Sequence, residues 1–183
     1  TVPVVSADCP ELIGRLVWGP TSSVAVANDV AFLGEPTRIV TADISNPAFP
    51  APIGAIDMPN GSGLTVAAGS FVFVANHADG LLIIDASDPE SPGLVGNLAM
   101  VGYPLALAVS GDIALVGDYG GARIIDVSNP THPTELAHYD TEIQVAGIEF
   151  KDDIAYVAVG YVPDGPGKQA DVATAAGALY VLD

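Results

Sequence analysis

Two series of short motifs recur along the chain at a single spacing, and nothing else in the sequence constrains the fold as tightly. Asp43-Ile44-Ser45-Asn46-Pro47, Asp85-Ala86-Ser87-Asp88-Pro89 and Asp126-Val127-Ser128-Asn129-Pro130 begin 41 or 42 residues apart. Between them fall Asn28-Asp29, Gly69-Ser70, Gly111-Asp112 and Asp152-Asp153, again at steps of 41 or 42 residues. Two interlocked series with one period mark a repeat architecture, in which each unit buries its faces against its neighbours.

Turn chemistry divides each repeat into strands. Each Asn/Asp/Gly/Ser pair separates two apolar runs, such as 105–109 and 113–116. Gly, Asn and Asp tolerate the positive φ of a tight hairpin, so the runs are read as paired strands, a and b. A third run, c, covers 38–44, 80–86 and 122–127 and ends at the Ser-Asn/Asp-Pro signature. There an Asn or Asp bonds its own backbone and a proline stops the strand. A more polar fourth strand, d, follows at 52–58, 94–100 and 136–140. Strands a and b are apolar on both faces, as when a sheet is packed between two others. Four antiparallel strands per period is the pattern of a β-propeller blade. The expectation is an all-β protein of four repeats, 19–58, 59–100, 101–141 and 142–183, with 11–18 as the outer strand of the last blade.

Charge removes some functions. The 183 residues carry 22 acidic and 5 basic side chains, a formal net charge of −17. Nucleic-acid binding needs clustered Lys and Arg, and Arg15, Arg38, Arg123, Lys151 and Lys168 are scattered. An anionic membrane surface is disfavoured for the same reason, and no run of apolar residues is long enough to span a bilayer. The acidity fits either a soluble β-rich surface or a setting rich in salt or divalent cations. The single cysteine, Cys9, allows no intrachain disulfide. The first residues lack the charged and apolar regions of a secretory signal, so any such signal has been removed.

The run Gly80-Leu81-Leu82-Ile83-Ile84-Asp85-Ala86-Ser87-Asp88-Pro89 resembles the hallmark of the LVIVD-repeat β-propellers, and 122–130 is similar to it. The resemblance extends over almost the whole chain, with the first and fourth repeats more degenerate. It implies a propeller of a bacterial or archaeal secreted or cell-surface protein. It brings no catalytic motif that transfers to residues of this chain.

Residues 177–183 match strand c, while 12–18 resemble strand d, with Gly14 answering Gly54 and Gly96. Two readings stay open. Either the four repeats close on themselves, or they belong to a ring of about six to eight blades. The larger ring would come from a longer parent chain or from two copies sharing strand d. Pro3-Val4-Val5-Ser6, similar to the tail of a strand c, favours the larger ring.

In such blades the b–c loops and d–a connectors share one face, and the a–b and c–d turns share the other. Function is expected on the more varied loop face. Its b–c loops include Asn76-His77-Ala78-Asp79 and Asp118-Tyr119-Gly120-Gly121. In the fourth repeat this loop carries about 16 extra residues, at 161–176. Long loops on tight scaffolds are functional or tolerated insertions. The candidate binding residues are His77, Asp79, Asp118, Tyr119, Tyr161, Asp164 and Lys168.

No cofactor is expected. His77, His132 and His138 belong to different elements and have no ligand spacing. Asp79, Asp118 and Asp164 are candidates to collect Ca2+, although no continuous acidic loop supports it. No nucleophile elbow or phosphate loop occurs. Trp18 is read as rim packing or a carbohydrate or protein contact, and Cys9 as an idle thiol, a nucleophile or an intermolecular bridge. The leading expectation is a non-catalytic binding or scaffold module with a protein or glycan partner. The alternatives are a structural subunit that self-associates through strand 12–18, and a hydrolase or lyase using Asp118, Glu142 and Glu149 at the channel mouth.

Overall fold

The computed structural model describes residues 12–17, 19–58, 60–141, 143–160 and 178–182. Its strands form four antiparallel sheets, each a meander in chain order. The first contains β1 (Ser23–Ala27), β2 (Val30–Glu35), β3 (Arg38–Asp43) and β4 (Ala51–Asp57). The second contains β5 (Leu64–Ala68), β6 (Phe71–Asn76), β7 (Gly80–Asp85) and β8 (Gly93–Leu98). The third contains β9 (Ala106–Ser110), β10 (Ile113–Gly117), β11 (Gly121–Asp126) and β12 (Thr134–Asp140). The fourth has three described strands, β13 (Val145–Lys151), β14 (Ile154–Val159) and β15 (Ala178–Leu182).

The a–b hairpins form as the turn residues dictate. Asn28, Gly69, Gly111 and Asp152 have φ of 52°, 60°, 54° and 55°, the left-handed region that Gly, Asn and Asp enter at least cost. The c–d turns repeat still more closely. Oδ1 of Asp43, Asp85 and Asp126 accepts the backbone N–H of Ser45, Ser87 and Ser128 at 2.8, 2.9 and 2.8 Å. Asn46, Asp88 and Asn129 then accept the N–H two residues on. Both faces of the motif are therefore consumed in shaping the turn.

The sheets lie side by side through their first strands, β1 beside β5, β5 beside β9, and β9 beside β13. Alternate side chains of a strand then serve different neighbours. Val72, Val74, Leu82 and Ile84 pack with Phe32 and Ile39 of the first sheet. Phe73, Ala75, Leu81 and Ile83 pack with Ala114, Val116 and Ile125 of the third. A third cluster joins Leu115 and Ala122 to Val145, Ala155 and Val157 of the fourth. This explains runs that are apolar on both faces.

The burial of strand a differs from expectation. Val24 and Val26 of β1 are 62% and 55% exposed, because they lie on the face of the first sheet opposite its packed one. Strands b and c hold most of the buried residues, as in β6 and β7, and strand d is solvent-facing, with all of β12 exposed.

Candidate functional site

The loop face rests on one recurring position. Glu35 ends β2, Asn76 ends β6, and Asp118 directly follows β10. All three are buried, 5% to 7% exposed. A buried polar group costs free energy unless it finds partners. Here most of the partners come from the loops, while Glu35 Oε1 has no hydrogen-bond partner among the described residues. Asn76 accepts the Asp79 N–H at 2.6 Å and donates to Asp79 Oδ2 and to the Gly61 carbonyl, each at 2.9 Å. Asp118 Oδ1 accepts the N–H groups of Gly120 and Gly121 at 2.7 and 3.1 Å, and Oδ2 lies 3.6 Å from Arg123 Nε. Glu35 Oε2 accepts Arg38 Nε–H at 2.6 Å. A connector glycine covers each of them. A Cβ at Gly19 would lie 2.8 Å from Glu35 Oε1, one at Gly102 would collide with Asp118 Oδ2, and Gly61 accepts from Asn76.

Above this layer three rings form a row across the second and third sheets. His77 and Tyr103 have centroids 5.4 Å apart at 32°, and Tyr103 and Tyr119 have centroids 6.3 Å apart at 49°. Tyr103 belongs to the connector between the sheets, and His77 and Tyr119 to the flanking b–c loops. The connector is held from two sides. His77 Nδ1 lies 2.9 Å from the Gly102 carbonyl, and Arg123 Nη2 donates to the Val101 carbonyl at 3.1 Å. Arg123 Nη1 donates to both Glu135 oxygens at 3.0 and 3.3 Å. Tyr103 and Tyr119 are nonetheless more than half exposed, and Val101 beside them is 88% exposed.

The sequence-derived candidates separate accordingly. His77 and Tyr119 stand in the exposed row. Asp79 is half-buried and receives the side-chain amides of Asn60 and Asn76. Asp118 is a buried anchor. Tyr161, Asp164 and Lys168, with the whole 161–176 insert, lie outside the described residues, as do Cys9, Trp18 and Glu142. His132 sits in a c–d turn, and His138 on β12 lies 3.4 Å from Asp140.

Asp118 and Glu149 are not neighbours. The Val145 N–H donates to the Asp118 carbonyl, and Glu149 lies four residues further along β13. At about 3.3 Å per residue this is roughly 13 Å, too far to share a proton. Among the described residues, no three His, Cys, Asp or Glu side chains converge as a metal site would require. Glu35, Asn76, Val101, Tyr103 and Arg123 were not among the candidates. The equal offset of Glu35, Asn76 and Asp118 from their a–b turns was the available signal.

The family model of the LVIVD repeat matches residues 18–57, 64–99 and 102–141, more than half of the chain. The chain belongs to the LVIVD-repeat family. Its three matched repeats coincide with the first three sheets. No curated protein matches it in sequence. Among solved structures it is similar to the computationally designed Ika4 protein, with a TM-score of 0.68 and 13% identity over 96% of this chain and 99% of that one. BamB from Moraxella catarrhalis gives a TM-score of 0.60 at 14% identity, over 75% of this chain and 46% of BamB. Sqt1 from Saccharomyces cerevisiae gives 0.64 at 9% identity, over 76% and 42%. The LVIVD-repeat chain thus aligns with nearly all of Ika4 and with under half of BamB and Sqt1. At these identities the likeness concerns the fold, a propeller-like array of antiparallel sheets.

Proposed function

We propose that this LVIVD-repeat chain is a non-catalytic binding or scaffold module of the cell exterior, offering its loop face to a protein or glycan partner. One observation carries the reading. The His77–Tyr103–Tyr119 row is exposed, yet the connector that carries Tyr103 is fixed by His77 and Arg123 hydrogen bonds to its backbone. Aromatic side chains held in place beforehand give contact area at small entropic cost on binding. Peptide and glycan arrays probed with the wild-type chain and with a Tyr103→Ala/Tyr119→Ala variant of unchanged circular dichroism test the reading. Binding lost in the variant supports it; equal binding of both overturns it.

A second reading, ring closure through an outer strand, has its own support. Gly54 and Gly96, in the outer strands of the first two sheets, press on the backbone of the next sheet's c–d turn, at Pro89 and Pro130. Gly14 presses on Pro47 in the same manner. Residues 12–17 therefore sit against the first sheet as an outer strand of a preceding sheet would. Val24 and Val26 on the first sheet and Leu179 and Val181 on the fourth are exposed on faces that would meet in a ring. We propose that 12–17 completes the fourth sheet, within one chain or between two copies. Deleting 1–17 should lower the melting temperature of a monomer or dissociate a dimer. Unchanged mass and melting would refute closure.

A further inference from the structure

We infer that the aromatic row is a docking site for an extended basic segment of a protein partner, whose Lys or Arg side chains lie over the faces of Tyr103 and Tyr119. The inference rests on the loop-face reading and narrows the partner. Tyr103 and Tyr119 are 54% and 58% exposed, so both rings are accessible to a partner. Such faces attract cations within about 6 Å of the centroid, Arg more often than Lys.

Charge selects among partners. The chain carries a formal −17, and the two described arginines of this face do not offset it locally. Arg38 is paired with Glu35, and Arg123 with Asp118 and Glu135. Carboxylates flank both ends of the row. Asp79 lies two residues from His77, and Asp140, its side chain 90% exposed, pairs in register with Gly121 in the Tyr119 loop. A carbonyl only accepts, so His77 Nδ1–H is the donor to Gly102 and the ring is fixed against the connector. Aromatic faces and carboxylates both suit a partner rich in cations. An anionic partner would be repelled, and a neutral glycan would use the rings but leave the flanking charge unanswered.

The test is fluorescence anisotropy on the whole chain with a fluorescein-labelled nine-residue peptide alternating Arg and Gly. A Glu-for-Arg counterpart and cellohexaose, the latter followed by calorimetry, are run beside it. The Arg peptide is expected to bind. Its binding should weaken about threefold to thirtyfold in Tyr103→Ala and in Tyr119→Ala, persist in Tyr103→Phe, which keeps the ring, and fall with added salt. Circular dichroism verifies that the variants fold. Equal binding of the Arg peptide to wild type and both alanine variants would reduce the effect to general charge attraction and overturn the inference. Cellohexaose binding that needs the tyrosines, with the Arg peptide silent, would overturn the basic partner and leave the loop-face reading standing. Silence of both probes overturns the inference, and the arrays above then decide the wider reading separately.

Discussion

Every complete c–d turn on one face of the molecule closes with the same pair of side-chain bonds. The loops of the first three sheets on the opposite face share only a buried polar residue, which changes from Glu35 to Asn76 to Asp118, and Val159 holds that place in the fourth. The turn face repeats because its chemistry is local: an Asp or Asn accepts an N–H two residues on, whatever the neighbouring sheet does. The loop face diverges because each anchor bonds within its own loop and is covered by a connector glycine. A repeat scaffold can vary one face while the other keeps the period.

The comparison breaks first at its anchors. Asp118→Ala removes the acceptor of two N–H groups and one of Arg123's two carboxylate partners. A loss of about 3 kcal/mol is expected, seen as a lower urea midpoint, while Asn76 should tolerate Asp better than Ala. Gly96→Ala comes next. Its Cβ would meet the Pro130 carbonyl of the following sheet, a backbone obstacle, for about 1–3 kcal/mol. On the turn face the acid response is diagnostic. The Ser45 and Ser87 N–H groups, with the serine hydroxyls, hold Asp43 and Asp85 below the ordinary carboxyl value of 3.8; for Asp126 the Ser128 hydroxyl leads. Because the folded pKa is lowered, the stabilisation is complete above about pH 3.8 and is lost as pH falls through the lowered values. The triple Asp→Asn variant at 43, 85 and 126 should show a flatter melting curve against pH below about 4 than wild type. The smallest stability effect belongs to Tyr119→Ala. It should leave stability within about 0.5 kcal/mol, in contrast to its effect on binding.

The repeat, the strand order and the turns were legible in the sequence because Gly, Asn, Asp and Pro act within a few residues of their own position. The aromatic row was only half legible. Tyr103 lies far along the chain from both His77 and Tyr119 and meets them only because the connector crosses between two sheets. The buried anchors escaped notice because three different residue types fill one position, so only their register relates them. The exposure of Val24 and Val26 was hidden for a related reason: a run apolar on both faces does not say which neighbour covers each face.

Amide hydrogen exchange, with and without saturating Arg-Gly peptide, tests most directly whether the two faces divide structure from recognition. The account predicts slowed exchange at 76–79, 101–103 and 118–121 on peptide addition, and no change at the c–d turns 45–49, 87–91 and 128–132. Protection centred on those turns, with the loops unaltered, would contradict it.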